Sequence, residues 1–443
     1  MKGRFVKAAG TILAVLLSLV VVDAVMAGGI INKNNQSADY MRTLNRAAAT
    51  DYADIAVYNP AGSMQMEDGF YGKVDVMYYG KDYTNTVPGY GELSQDEPSI
   101  TPGVFSVYKK KKWGGFLAFT IPAGGGKLDY KDGNARTVAL AENVSNLFNA
   151  AFETNLGTNY YNYNNVDDMA IEVKQSTVYG FTLGASYAIN DAWSVALGTR
   201  YSTGTREFDG FANISADNPL PSNPYGITNN PQELSINLEE DAAGWAGILG
   251  VNFAPNEKLN AALTYISNTK MEYDMDVKRD TTLPDGSSLA AAIGFPDGSK
   301  RRIDIPAQLG TGVSYRFLPP LKVDLTYTYY FEKDADIDTY ADEGNSWDLG
   351  IAGEYTFNPR WKASLGYMLT RVDLDDDEQI SEPEEPKLGA HAVAAGAVWS
   401  PTQSWAISLG GAYIMYDGVE DSQGREYDKT VWNVSLGLQY KFL

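Results

Sequence analysis

One histidine, His391, and no cysteine in 443 residues leave few side chains with which to build a nucleophile, a redox centre or a multi-histidine metal site. A histidine-dependent hydrolase would have to use His391. It lies in the segment Gly389 to Ser400, in phase with the apolar Val393 and Trp399, and no partner constellation is evident beside it. An acidic run of Asp373, Asp375, Asp376, Asp377, Glu378, Glu382, Glu384 and Glu385 spaces its first carboxylates as a calcium loop does. It lacks glycine at the sixth position of such a loop, so a solvated charge run is the better reading, with divalent-ion binding as the alternative. No metal, cofactor or catalytic residue is expected.

The elements that carry these residues are read from their period. Fourteen stretches alternate apolar residues with small or polar ones, joined by six short turns and seven long polar segments. Trp432, Val434, Leu436, Leu438, Tyr440 and Phe442 alternate with Asn433, Ser435, Gly437, Gln439 and Lys441. The same period runs through Leu321, Val323, Leu325, Tyr327 and Tyr329, and through Trp347, Leu349, Ile351 and Tyr355. Trp193, Trp361, Trp399 and Trp405 sit beside short turns, where an aromatic girdle belongs. A soluble two-sheet protein would also alternate, but its second face would be charged rather than rich in Gly, Ala, Ser and Thr. The pattern predicts an all-β fold, a 14-stranded antiparallel transmembrane β-barrel, with short turns periplasmic and long loops outside.

Lys2, Arg4 and Lys7 precede an apolar stretch from Ala8 to Val22, which predicts a cleaved signal over residues 1–27 and a mature terminus at Gly28. Losing three cations and one anion takes the formal charge from −21 to −23, which argues against nucleic acid as a partner. A barrel this wide is either a channel or plugged. Residues 28–68 show no spanning alternation and are expected to be an N-terminal luminal plug, a flexible periplasmic tail being the alternative; residues 69–443 make the barrel.

Asn35-Gln36-Ser37-Ala38-Asp39-Tyr40, Leu44-Asn45-Arg46-Ala47-Ala48-Ala49 and Tyr58-Asn59-Pro60-Ala61-Gly62 resemble the FadL family of outer-membrane transporters for hydrophobic compounds. Asn59, Pro60 and Ala61 match the Asn-Pro-Ala signature of that family's N-terminal hatch, and the likeness extends over the mature chain in strand number and loop rhythm. One departure is the final Leu443, which displaces the usual terminal aromatic to Phe442. Phase is kept, so recognition by the barrel-assembly machinery is expected to survive.

The resemblance implies passive transport of hydrophobic small molecules, long-chain fatty acids or similar, across the outer membrane of a Gram-negative bacterium, with lateral release through the wall. Expected surroundings are outer-membrane lipid and lipopolysaccharide, whose phosphates the acidic run would reach through divalent ions. A general or substrate-specific porin and an outer-membrane enzyme are the alternatives. Leu140, Val144, Leu147 and Phe148 fall on one face of a helix in an outer loop and are expected either to form a capture groove or to pack against other loops, with Leu289 to Ile293 as a partner segment. Met77, Phe116, Ile266, Met368 and Ile414 break the small inward phase and are expected either to line the ligand pocket or to pack on the plug. Arg200, also inward, would meet a carboxylate head group or pair with Glu354 or Asp348. Pro122, Gly124 and Gly125 end the third strand; in the family a kink in this strand opens the wall, so these residues are read either as a lateral gate or, the preferred reading, as the ordinary start of a loop at the outer rim.

Overall fold

Fourteen antiparallel staves follow one another around a closed barrel, each hydrogen-bonded to its neighbours in sequence. The computed structural model describes residues 37–124, 126–156, 163–216, 232–283, 286–337, 344–373 and 383–442. The staves are β1 (Gly69–Val87), β2 (Gly91–Gln95 and Ser99–Lys110), β3 (Trp113–Ala123 and Leu128–Tyr130), β4 (Tyr163–Ala188) and β5 (Trp193–Ala216). Next come β6 (Gln232–Asn256), β7 (Leu259–Ile266 and Glu272–Arg279), β8 (Lys300–Arg302 and Ala307–Leu318), β9 (Leu321–Phe331) and β10 (Ser346–Asn358). The last four are β11 (Trp361–Val372), β12 (Ala390–Trp399), β13 (Trp405–Tyr416 and Val419–Glu420) and β14 (Glu426–Phe442). Closure is by β1 on β14, paired from Phe70↔Phe442 to Thr86↔Glu426. The proposed leader and Leu443 lie outside the described residues.

Side-chain alternation divides the wall. Leu365 is 70% exposed and Leu197 67%, whereas their neighbours Ser364 and Ala196 are buried in the lumen. Outside, this apolar band meets lipid without cost, and a cation placed at its middle would cost about 2–4 kcal/mol. Beside the short turns, aromatic rings pair across neighbouring staves: Trp193 with Phe253 at 4.4 Å, Trp405 with Tyr440 at 4.6 Å and Trp361 with Trp399 at 5.9 Å.

The wall is uneven in height. β4, β5 and β6 run for 26, 24 and 25 residues, whereas β12 has 10; about ten suffice to cross a bilayer. Along β6 the register against β5 never changes, but the apolar residues change face. Trp245, Leu249 and Val251 point outward in the lower half; higher up, Leu234, Ile236 and Leu238 point inward while Glu239 faces solvent. That inversion marks where the stave leaves the membrane and begins to enclose an apolar chamber.

Inside the lower barrel lies the N-terminal segment from Ser37 to Met66, with the short helices α1 (Ala38–Met41) and α2 (Ile55–Tyr58) and a 3₁₀ turn over Pro60–Gln65. Ser37 caps α1 by accepting from the Tyr40 N–H at 3.0 Å. Inward glycines admit the segment: a Cβ on Gly366 would stand 2.1 Å from the Thr43 carbonyl oxygen. Two outer helices complete the architecture, α3 (Ala135–Leu156) and α4 (Leu289–Ala292).

Candidate functional site

The plug is fixed to the wall by buried charges and by carbonyls that seek donors. Arg42 donates from Nη1 to Glu354 Oε2 at 2.6 Å and from Nε to Asp39 Oδ1 at 2.7 Å, and Lys73 Nζ stands 3.0 Å from Asp39 Oδ2. Arg46 reaches Asp54 Oδ1 at 2.6 Å and Asp51 Oδ1 at 2.7 Å. Burial raises the Asp39 pKa, but Lys73, Arg42 and Arg46 outweigh it and hold the carboxyl at about 2. Asn59, Pro60 and Ala61 each grip a different stave. The Asn59 amide donates to Asn252 Oδ1 on β6 at 2.8 Å, the Pro60 carbonyl accepts from Ser186 on β4, and the Ala61 carbonyl accepts from Ser194 on β5, both at 2.8 Å. The same Asn59 side chain accepts from the Gly62 N–H at 3.1 Å and donates to the Ala49 carbonyl at 2.9 Å.

Above the plug is a cavity of about 120 Å³. Its walls are the inward upper halves of β4 to β8, with Ile171, Val173, Phe208, Ile236, Leu238, Ile303 and Ile305. Leu140 of α3 and Leu289 of α4 form its outer side, and both helices belong to one apolar cluster with Val138, Ala141 and Val144. Arg206 and Arg301 bring guanidinium groups to the same wall, with Glu240 between them.

Residues 383–389, just before β12, bring two acids to the cavity, Glu384 and Glu385. Both are buried, which corrects the reading of this acidic run as solvated over that part. Arg136 Nη2 donates to Glu384 Oε2 at 3.0 Å, Lys429 Nζ lies 3.9 Å from Glu385 Oε1, and Lys387 Nζ lies 2.5 Å from Glu332 Oε2. Neighbouring cations and the Tyr130 hydroxyl, which donates to the Glu384 carbonyl at 3.0 Å, offset the loss of water. Asp373 is described and exposed; Asp375 to Glu382 lie outside the described residues.

Next to the cavity the wall is irregular. The ladder between β2 and β3 runs from Lys110↔Trp113 to Val104↔Phe119, short of the upper end of β2, and β3 shifts register against β4 between Thr120 and Ala123. Pro102 and Pro122 fall on the two strands just beyond that last pair, and neither has an N–H to donate. Gly124 takes φ +107, and a Cβ there would lie 2.3 Å from the Ser176 carbonyl oxygen. The Pro122–Gly124 segment therefore interrupts the third stave rather than ending it: pairing with β4 resumes at Leu128↔Val173. Gly124 also borders the cavity; Gly125 lies outside the described residues.

The six residues read from sequence as ligand-binding lie at other positions in the lumen than this larger cavity. Met77, Met368 and Ile414 are buried in a cluster with Met41 and Leu44 of the plug, and Phe116 in one with Ala49, Ile55 and Ala61. Ile266 and Met368 border a smaller cavity of about 60 Å³ against Tyr40, Leu44 and Val57. None of the six lines the larger cavity, because the plug fills the lumen at their height. Arg200 is buried and reaches Thr269 Oγ1 from Nη2 at 3.4 Å. The acids suggested as its partners are engaged by others, Glu354 by Arg42 and Asp348 by the hydroxyls of Tyr330 and Thr370. Leu140 and Val144 sit at or beside the cavity, while the side chains of Leu147 and Phe148 lie outside the described residues. His391 has neighbours that its sequence surroundings hide: the Tyr367 hydroxyl at 2.7 Å from Nδ1, and Asp417 Oδ1 at 3.9 Å from Nε2. The residues lining the larger cavity were missed because period alone marks a face, not which part of that face borders open space. The change of apolar face along β4 to β6 is the signal that finds them.

Known proteins share this barrel architecture. A crystal structure of a Pseudomonas aeruginosa FadL homologue superposes with TM-score 0.65 at 14% identity, covering 94% of this chain and 100% of that one. The Pseudomonas putida toluene transporter TodX gives 0.62 at 13%, covering 94% and 99%, and the Ralstonia pickettii toluene transporter TbuX gives 0.61 at 14%, covering 93% and 100%. A long-chain fatty acid transport protein of Escherichia coli O6:H1 is 20% identical over 297 residues, which is 59% of this chain. The chain spans 65% of the length of that relative. Residues 18–441 match the family described as Outer membrane protein transport protein (OMPP1/FadL/TodX), so this chain is a member of that outer-membrane transport family.

Proposed function

We propose that this protein carries hydrophobic small molecules passively through a plugged barrel, with lateral release through the wall beside β3. The observation that carries this reading is the continuity of one apolar cavity, from Leu140 and Leu289 at the outer helices to Gly124 at the interrupted stave. A molecule entering from outside exchanges water for Phe208, Ile236 and Leu238, gaining about 0.8 kcal/mol per methylene buried. At about 120 Å³ the space suits a compact hydrophobic molecule or the leading segment of a longer one. TodX and TbuX are toluene transporters and the Escherichia coli relative transports long-chain fatty acid. An apolar wall suits both classes, and Arg206 and Arg301 stand at one side of it, where the carboxylate of a fatty acid would lie.

In this reading residues 1–27 are removed as a signal, residues 28–68 form the hatch, and Asn59, Pro60 and Ala61 hold it on the wall. Leu140 and Val144 belong to the capture surface. Met77, Phe116, Ile266, Met368 and Ile414 act one step later, where the plug must yield if cargo passes downward.

Uptake of radiolabelled toluene and of oleate by cells expressing the full chain provides the test. Paired cysteines at Pro102 and Ile121 would bridge β2 and β3 just beyond the last ladder pair, and closing that bridge should cut uptake at least tenfold, reversibly on reduction. Phe208→Asp with Ile236→Asp should abolish it while the barrel still folds. Undiminished uptake with the bridge closed refutes lateral release; undiminished uptake in the double aspartate variant refutes the cavity.

A further inference from the structure

The foot of the β2–β3 hairpin carries four consecutive lysines, Lys109 to Lys112, in a chain whose formal charge is −21. The other five short turns are different. Between them they carry Asp191, Glu257, Lys258 and Arg360, which cancel. Lys109 is paired with Asp68 at 2.8 Å, and both carboxylate oxygens of Asp68 accept from the Lys111 N–H at 3.0 Å, so the turn is held in one shape. Lys111 takes the left-handed conformation, with φ 56. Lys110, Lys111 and Lys112 are exposed.

Depth in the membrane is set by the flanking aromatics. Tyr108 is 48% exposed and Trp113 65%, and Trp113 packs tilted against Tyr187 of the next stave with ring centroids 4.6 Å apart. Rings with one apolar body and one polar edge settle at the boundary between acyl chains and headgroups. With Tyr108 and Trp113 at that boundary, the ammonium groups one or two residues further on lie among the headgroups of the periplasmic leaflet.

We propose that the Lys110–Lys112 turn is a docking surface for the anionic headgroups of phospholipids in the periplasmic leaflet. A rigid turn loses little entropy on binding, and the two acids beside it are already engaged, Asp68 by Lys109 and Glu67 by Lys441, so three ammonium groups within one turn can meet a phosphodiester. The bound lipid clamps the foot of the hairpin whose upper ladder ends at Val104, fixing its height while the wall above is irregular.

The test is native mass spectrometry of the mature protein in detergent, titrated with phosphatidylglycerol and with phosphatidylethanolamine of matched acyl chains. Each basic side chain near such headgroups contributes about fivefold at low salt, so after screening the wild type should favour phosphatidylglycerol by about tenfold. Lys110→Gln, Lys111→Asn and Lys112→Gln together should bring that preference close to unity; asparagine is chosen because it tolerates the left-handed backbone. The triple arginine variant should keep the preference, and Lys258→Gln with Arg360→Gln should leave it unchanged. Heat-dependent gel mobility verifies that each barrel is folded. An unaltered preference in the triple neutral variant overturns the proposal, as does equal loss of both lipids. Displacement of phosphatidylglycerol by millimolar inorganic phosphate would assign the site to free anions instead and also overturn it.

Discussion

Arg42→Ala is expected to loosen the plug without unfolding the barrel. It removes the 2.6 Å bond to Glu354, the 2.7 Å bond to Asp39 and a 3.2 Å bond to the Ser364 hydroxyl, all buried. Breaking a buried pair by deleting one partner costs about 3–5 kcal/mol when the other charge is stranded. Neither acid is stranded here. Glu354 keeps Lys362 at 3.4 Å and Lys322 at 3.8 Å, and Asp39 keeps Lys73 at 3.0 Å, so about 2–3 kcal/mol is the reasonable figure. At 1.4 kcal/mol per factor of ten, this raises the population of displaced plug by about a hundredfold. The staves themselves pair with one another and not through Arg42, so the barrel should stay closed. Hydrogen exchange of the amides from Ala38 to Tyr58 reads the effect directly, since local opening and global unfolding separate in that measurement. Planar-bilayer recordings should show more frequent ion-conducting events. A double-mutant cycle with Glu354→Gln isolates the pair and should give a coupling of about 1–3 kcal/mol. Protection of residues 38–58 within threefold of wild type would falsify the view that this cluster seats the plug.

Three further outcomes follow from the same geometry. Asp39 has a native pKa near 2 against an ordinary 3.8, so its contribution is complete above about pH 4 and is lost as pH falls through 2; the plug should stay seated at pH 5 and loosen only near pH 3 and below. Plug release in bilayer recordings already at pH 5 contradicts this sign. Asn59→Ala removes bonds to Asn252 and the Ala49 carbonyl and the cap on Gly62, and should destabilise the Pro60–Gln65 turn by about 2 kcal/mol, visible as faster hydrogen exchange there; unchanged exchange counts against the motif as a latch. Gly124→Ala places a methyl 2.3 Å from the Ser176 oxygen at a backbone angle of +107°, a strain of about 1–3 kcal/mol that must move β3. Uptake rate should change at least fivefold with ligand affinity held within twofold, and an unchanged rate would detach the interruption from transport.

Period two is a backbone property, so much of the barrel was legible from residue order. Leu349, Ile351, Val434 and Leu436 had to share a face, and lipid is the solvent that accepts them together. Short turns and flanking tryptophans were equally local signals. The plug's interior position was legible only indirectly, through the absence of alternation before Phe70 and the likeness around Asn59 to Ala61. What those three residues do there, one grip on each of β6, β4 and β5, depends on staves far away in sequence.

The site was the less legible part, for a definable reason. Met77, Phe116 and Met368 looked like a pocket because apolar bulk on an inward phase signals something apolar inside, and the plug satisfies that signal as well as a ligand does. Only the height of each residue along its stave separates the two, and height follows from register and from where the membrane band ends. Glu384 and Glu385 read as solvated because charge runs usually are; the loop carries them inward against Arg136 and Lys429. His391 met Tyr367 only through the pairing of β11 with β12.

By itself, then, residue order determined the alternation, the number of crossings and which face meets lipid, since each is set by neighbours one or two positions apart. Tertiary structure decided where the plug stops, where the apolar chamber begins and where the wall breaks. Those are matters of relative height among fourteen staves, and height is fixed by cross-strand register and by prolines and glycines on different strands acting together.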